Sequence, residues 1–397
     1  MTLCVMVLIA SEFMPVSLLT PVASDLGITE GQAGQAIAVS GVFAVLTSLF
    51  IAAATARFDR RAVLLSLTLV TMLSGVFVAA APNFIVFMVG RALLGVAIGG
   101  FWSMSTATIM RLVPSERVPG ALAVLNGGNA LAATVAAPLG SFAGSLIGWR
   151  GTFFCVVPMA AATLLWQFAS LPSMRQDHTA VSNNTLGLLR RPPVARGMVA
   201  VMLLFMGQFA LFTYLRPFLE AVTKVDVSLL SLLLLAIGVA GLVGNLFVGR
   251  VVIHDLRRVV ALIPLTMAAI ALGLIACGTS LWTVAVLLAA WGLVSTPAPV
   301  AWSTWLTRTL PGHAETGGGL MVASIQFAIT MGAALGGLAF DAFGYQSTFG
   351  LSAGLLCAGG IVACRAARAG AAEGAHLQRS AVNTILSFHR RQTCEHL

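Results

Sequence analysis

The chain has 397 residues, is 58% hydrophobic and only 9% charged, with a mean hydropathy of +0.97. A soluble domain carries about 25% charged residues, so the composition excludes an ordinary soluble protein and points to an integral membrane chain. The net charge of +9 is spread over the connections between apolar runs, which argues against nucleic acid as a partner.

Charged and Pro/Gly-rich breaks leave twelve apolar segments of about 20 residues, the length a spanning helix needs. They lie near 2–23, 35–55, 62–81, 84–109, 118–141, 151–171, 197–217, 229–249, 258–277, 281–305, 317–337 and 346–365. The connections after even-numbered segments hold most of the arginines, among them Arg57, Arg60, Arg61, Arg111, Arg117, Arg190, Arg191 and Arg308. The opposite connections hold Asp25, Glu30, Glu220, Asp226 and Asp341. This asymmetry predicts a multi-pass membrane protein with both termini in the cytoplasm.

The first segment opens at Met1 with no basic flank, which predicts a reading frame extending upstream. Glu12 stands alone within it, and Arg91 stands alone within the fourth. A bare charge at membrane depth costs roughly 2.5 kcal/mol or more, so it needs a partner or a wet cavity. Counting from Asp25, Glu12 is roughly 15 Å inside the outer boundary, and Arg91 is roughly 10 Å below the same face. The gap is within reach of an extended arginine. Burial and a neighbouring guanidinium act in opposite senses on a carboxyl's hold on its proton. Glu12 with Arg91 is therefore the candidate proton-coupling pair; a static ion pair pinning helices 1 and 4 is the alternative.

Further along the chain, Trp102 in the fourth segment and Gln208, Phe212 and Tyr214 in the seventh offer stacking faces and hydrogen-bonding groups. Trp302 and Trp305 in the tenth do the same, and Asn126, Asn129, Ser17, Thr20 and Gln326 are weaker candidates. Gln208 is the sharpest, because an amide in hydrocarbon needs a partner; a hydrogen bond to a neighbouring helix meets that need equally. The tryptophans serve equally as packing or interface anchors. Asn245 reads as structural, and Glu220 as interfacial. Glycines at helical spacing, including Gly95 and Gly99, read as close helix packing. The six cysteines and six histidines show no metal-ligand spacing inside the apolar segments, and no phosphate loop is present. No cofactor is expected, and no cluster of catalytic groups points to an enzyme.

The longest polar connection, 173–196, leaves six segments on either side. The halves echo each other: Gly140/Gly336, Ala143/Ala339, Gly148/Gly344, Thr152/Thr348 and Phe153/Phe349 are identical at a constant offset. Such a repeat fits a two-bundle transporter with its site between the halves near the midplane. The predicted fold is an all-α membrane protein with twelve transmembrane helices in two six-helix bundles. Its parts are a bundle at 1–172, a cytoplasmic linker at 173–196, a bundle at 197–366 and a cytoplasmic tail at 367–397.

Several motifs carry a family resemblance over the full length. The Arg91 to Gly100 stretch resembles the fourth-helix motif of the major facilitator superfamily, and Val113 to Arg117 its following loop. Ala137 to Gly140 resembles the fifth-helix motif of its proton antiporters, which makes Pro138 and Gly140 gating or packing candidates. More narrowly, Glu12 to Pro21, Gly99 to Ser105, Gly207 to Pro217 and Trp302 to Trp305 resemble the bacterial purine ribonucleoside exporters. The loop between helices 2 and 3 departs from the superfamily pattern, with Ala52 and Ala56 where a Gly and an Asp are usual. The resemblance implies proton-coupled efflux of small polar solutes, purine ribonucleosides and analogues, by a monomer whose partners are that solute, protons and membrane lipids. A sugar or multidrug antiporter of the same fold is the alternative, and a membrane enzyme or receptor is the reading from another class.

Overall fold

The computed structural model describes residues 1–55, 57–114, 117–174, 185–310 and 314–365. Apart from short connections they are helical, as a chain must be when no water is present to satisfy its backbone groups. Of the expected parts, Ala56, Ser115 and Glu116 of the 113–117 loop motif, residues 175–184 of the linker, Pro311 to His313, Ala366 and the 367–397 tail lie outside the described residues.

Among the described residues thirteen α-helices follow in chain order: α1 Thr2–Leu26, α2 Glu30–Ala54, α3 Arg60–Ala79, α4 Phe84–Leu112, α5 Val118–Phe154 and α6 Val156–Ser170, then α7 Pro192–Thr213, α8 Leu215–Phe218, α9 Val227–Cys277, α10 Leu281–Ser295, α11 Ala298–Thr309, α12 Ala314–Phe343 and α13 Tyr345–Arg365. Eleven stretches among the described residues are long and apolar enough to span a membrane, and the shorter α6 supplies a further apolar helix. Side-chain caps start three of them. Asn83 Oδ1 accepts from the Val86 amide at 3.0 Å, Asp59 Oδ1 from Arg61 at 2.9 Å and Asp226 Oδ1 from Leu229 at 3.3 Å.

Several boundaries differ from the sequence expectation, each for a local reason. The fifth and sixth spans join without a polar loop. The single break in α5 is Gly148, at φ 71° and ψ 167°, and its repeat partner Gly344 separates α12 from α13 at φ 78°. Both positions need backbone that glycine alone adopts freely. The eighth and ninth spans run together as α9, broken at Asp255. The tenth is divided into α10 and α11 around Pro297. The seventh begins at Pro192, after a 3-10 turn over Thr185–Arg190 and five residues ahead of the expected 197.

Packing follows small residues. A Cβ on Gly95 or Gly99 would strike the Ser40 or Ala44 carbonyl of α2, and one on Gly140 would strike Ser17 of α1. The halves meet mainly along α2 with α12 and α5 with α9. Ile37 and Ala38 of α2 share a core cluster with the second half. The shifted acid of the second loop, Asp59, ties α3 to the end of the sixth span. It accepts from Ser173 Oγ and from the Met174 amide at 2.8 Å, and these bonds, Ser173's foremost, hold its carboxyl below the usual range.

Candidate functional site

Between the halves lies a cavity of about 660 Å³, within the usual range for small-molecule sites, about 300–1,000 Å³. Its lining runs from Glu12 and Phe13 in the middle of α1, and Phe209 and Phe212 near the end of α7, to positions near the face where α1, α5, α7 and α12 begin, such as Asn126, Asn245 and Thr307. It therefore reaches toward the face on which the chain starts. The other face is closed by contacts across the seam. Asp341, near the end of α12, accepts from Thr29 Oγ1 at 2.6 Å and from the Gly31 amide at 3.0 Å, at the start of α2. The Tyr214 hydroxyl lies 3.5 Å from the Gly31 carbonyl of α2 while donating to the Ala333 carbonyl of its own half at 2.8 Å, and Arg216 donates to the Ser17 carbonyl.

Within this frame the expected site residues separate. Glu12, Trp102, Asn126, Asn129, Gln208 and Phe212 all line the cavity. Helical spacing explains the pair on α7, since Gln208 and Phe212 are four residues apart and share a face. Phe212 joins Phe13 and Phe209 in an aromatic cluster, with ring centroids 5.9 to 6.4 Å apart. Gln208 Oε1 is buried without a hydrogen-bond partner, an acceptor that a solute donor could meet.

Three expected contacts are corrected. Tyr214 lies outside the cavity in the closed face, fully buried and stacked on Phe340 with centroids 5.2 Å apart. Trp302 and Trp305 lie on the other face of α11, packed on one another at 5.4 Å and buried in the second half's core. The helix turns its hydroxyl stripe, Ser303, Thr304 and Thr307, to the cavity instead. Asn245, taken as structural, lines the cavity and its Oδ1 has no partner. Phe13, Trp291 and Thr296 also line it and were missed. The hydroxyl stripe on α11 was the readable signal, outweighed by the two tryptophans.

The charged pair also differs from expectation. Arg91 is 1% exposed and reaches α1 as the depth estimate predicted. Its guanidinium, however, bonds mostly to main chain: to Ser11 O at 2.8 Å, Ala36 O at 3.2 Å and Glu12 O at 3.5 Å, with Ser40 Oγ at 3.3 Å. No salt bridge joins it to the Glu12 carboxylate among the described residues. Glu12 Oε1 instead accepts from Gln326 Nε2 of α12 at 3.3 Å, across the seam. Arg91 thus clamps α1 to α2 and α4, and Glu12 faces the cavity. At the closed face Glu220 pairs with Arg216 at 2.8 Å.

Such a site can hold a small solute of mixed character against rings and amides beside one carboxylate. Among the described residues no group of three metal-binding side chains is present. The sequence profile of the Major Facilitator Superfamily matches residues 1–254 and 198–391. A transcription regulatory protein named OpdE from Pseudomonas aeruginosa is 54% identical over 375 residues, 94% of this chain and 93% of that protein. A purine ribonucleoside efflux pump, NepI, from Salmonella paratyphi B is 44% identical over 353 residues, 89% of each chain. The crystal structure of a D-xylose–proton symporter superposes with a TM-score of 0.73 at 13% identity, over 91% of this chain and 95% of that one.

Proposed function

The chain belongs to the major facilitator superfamily, and from that premise we propose that it exports purine ribonucleosides and their analogues in exchange for protons. It is a multi-span membrane transporter of small molecules rather than an enzyme. The observation that carries the substrate reading is the unpartnered Gln208 amide beside the Phe13, Phe209 and Phe212 rings in a cavity of nucleoside size. The rings supply faces for a purine, while Asn126, Asn129 and the α11 hydroxyls supply partners for a ribose. The 44% identity to a purine ribonucleoside efflux pump supports the same substrate class. The regulatory name of the Pseudomonas relative stays with that protein, because the described residues here are spanning helices around a cavity.

Glu12 is the proton carrier in this reading, as the one acid among the lining residues described, and Arg91 holds its segment of α1 in place. Gly95, Gly99, Pro138 and Gly140 pack the moving helices closely. The chain divides into bundles at 1–172 and 197–366, joined by the 173–196 connection. It lies in the bacterial inner membrane as a monomer among lipids, with both termini cytoplasmic. The cavity then faces the cytoplasm, ready to load a solute for export.

Counterflow in proteoliposomes tests this. With an imposed pH gradient, purine ribonucleosides should accumulate and disaccharides should not. Equal transport of sugars, or of unrelated lipophilic cations attracted by the aromatic cluster, would overturn the substrate assignment.

A further inference from the structure

The Glu12 carboxylate is held from two sides, and the two holds differ in kind. On its own side Arg91 fixes the α1 backbone at Ser11 and Glu12 to α2 and α4, through bonds to main chain rather than to the carboxylate itself. On the other side one side chain from the second half, Gln326, reaches the carboxylate itself at 3.3 Å. Gln326 is 9% exposed and sits where α12 lies tightest on α2. Its own carbonyl accepts from Thr330 Oγ1 at 2.8 Å, and a Cβ on Gly41 would strike that same Thr330 hydroxyl. A shift of α12 against α2 therefore carries the Gln326 amide with it.

Chemistry makes an amide apt here. A carboxylate only accepts hydrogen bonds, whereas a protonated carboxyl also donates one. Glutamine can meet either state by rotating its amide, but the bond to the charged form is the stronger, about twice a neutral one. Lysine or arginine at this place would lock the charged state, and leucine would ignore both. The other charged groups near Glu12 are Arg91, committed to carbonyls on α1 and α2, and Arg216 of α8, committed to the Ser17 carbonyl and Glu220.

We propose that Gln326 is the positioning residue through which the state of Glu12 sets the engagement of the two halves. The deprotonated carboxylate holds the Gln326 amide across the seam and stabilises the arrangement seen here, open toward the face where the chain starts. Arrival of a proton loosens that hold and frees α12 to move. This deepens the proton-exchange reading and rests on it.

The test compares Gln326→Leu, Gln326→Asn and Glu12→Gln in proteoliposomes, with two readouts each: exchange of adenosine without a gradient, and accumulation driven by a pH gradient. Gln326→Asn keeps an amide but withdraws it by one methylene, so it guards against a folding defect in the leucine variant. Gradient-free exchange should persist in both Gln326 variants and fall less than driven accumulation. Their driven accumulation should fall about tenfold or more, the factor a bond to a charged acceptor contributes. The double variant Glu12→Gln with Gln326→Leu should be no worse than Glu12→Gln alone, as two members of one link behave. Accumulation at the parent level in both Gln326 variants, with Glu12→Gln defective, overturns this assignment and leaves the exchange reading standing. Parent-level accumulation by Glu12→Gln overturns the exchange reading itself. Loss of gradient-free exchange in both Gln326 variants would make Gln326 a solute contact and overturn the positioning role.

Discussion

Replacing Asp341 with alanine should open the closed face. The Asp341 carboxylate accepts two hydrogen bonds from the start of α2, from Thr29 Oγ1 at 2.6 Å and the Gly31 amide at 3.0 Å. It lies where the positive end of the α2 dipole favours an anion. A bond to a charged group is worth about 1.5–3 kcal/mol when buried. Asp341 and Thr29 are exposed, so solvent screening lowers the pair to about 1–2 kcal/mol together. That is a shift of about 5- to 30-fold in the balance between closed and open arrangements. Ala38 of α2, 5% exposed and packed in the second half's core cluster, becomes accessible only if the seam parts. In a background with the native cysteines replaced, Ala38→Cys should react with a membrane-impermeant maleimide at least about 5-fold faster when Asp341→Ala is added. Thr29→Ala removes one of the two bonds and should fall between. An unchanged labelling rate in Asp341→Ala would mean that these bonds do not hold the face shut.

Gln208→Ala should raise KM for adenosine by about tenfold, the upper end of what one hydrogen bond contributes, and should reduce tolerance of toxic purine analogues in cells overexpressing the protein. Tyr214→Phe should leave that KM unchanged, because the Tyr214 hydroxyl bonds Ala333 at the closed face and not the solute. Gly99→Val should lower the melting temperature in detergent, since its side chain meets the α2 main chain at Ala44, an overpacking that costs about 1–3 kcal/mol. Asp59→Ala should cost about 1 kcal/mol through the lost cap. In the parent, the Asp59 contribution is present above the ordinary aspartate pKa, because folding lowers its pKa. It is lost as pH falls through the lowered value, and acid melting curves of parent and Asp59→Ala should converge there.

The sequence gives depth along a helix well and rotation about its axis poorly. Apolar runs and a rise of about 1.5 Å per residue located the spans and put Glu12 and Arg91 within reach of one helix–helix contact. That count carries no information on which atom meets which. Arg91 reached α1 as expected, yet its donors met carbonyls, and the carboxylate one residue on turned to Gln326 of α12. A contact between elements more than 300 residues apart in the chain leaves no mark in local spacing.

Rotation decided the aromatic assignments too. Trp302 and Trp305 share one face of α11, three residues apart, while Ser303, Thr304 and Thr307 share another. One face had to meet the core and the other the cavity. Ring chemistry favoured the tryptophans for the solute, but burial favours them for the core more strongly, since each removes about 150–250 Å² of surface from contact with other media. A hydroxyl stripe turned toward hydrocarbon or core would leave its oxygens to bond their own helix alone, whereas a wet cavity adds partners. Tyr214 illustrates the same rule at a helix break. It follows Thr213 at the end of α7, so the face shared by Gln208 and Phe212 no longer constrains it. Its hydroxyl needed an acceptor on burial, and the α12 carbonyl of Ala333 supplied one within the second half, with the Gly31 carbonyl of α2 3.5 Å away across the seam. The polar tip that looked like a solute contact is spent at the closed face, while Gln208, six residues earlier, faces the cavity.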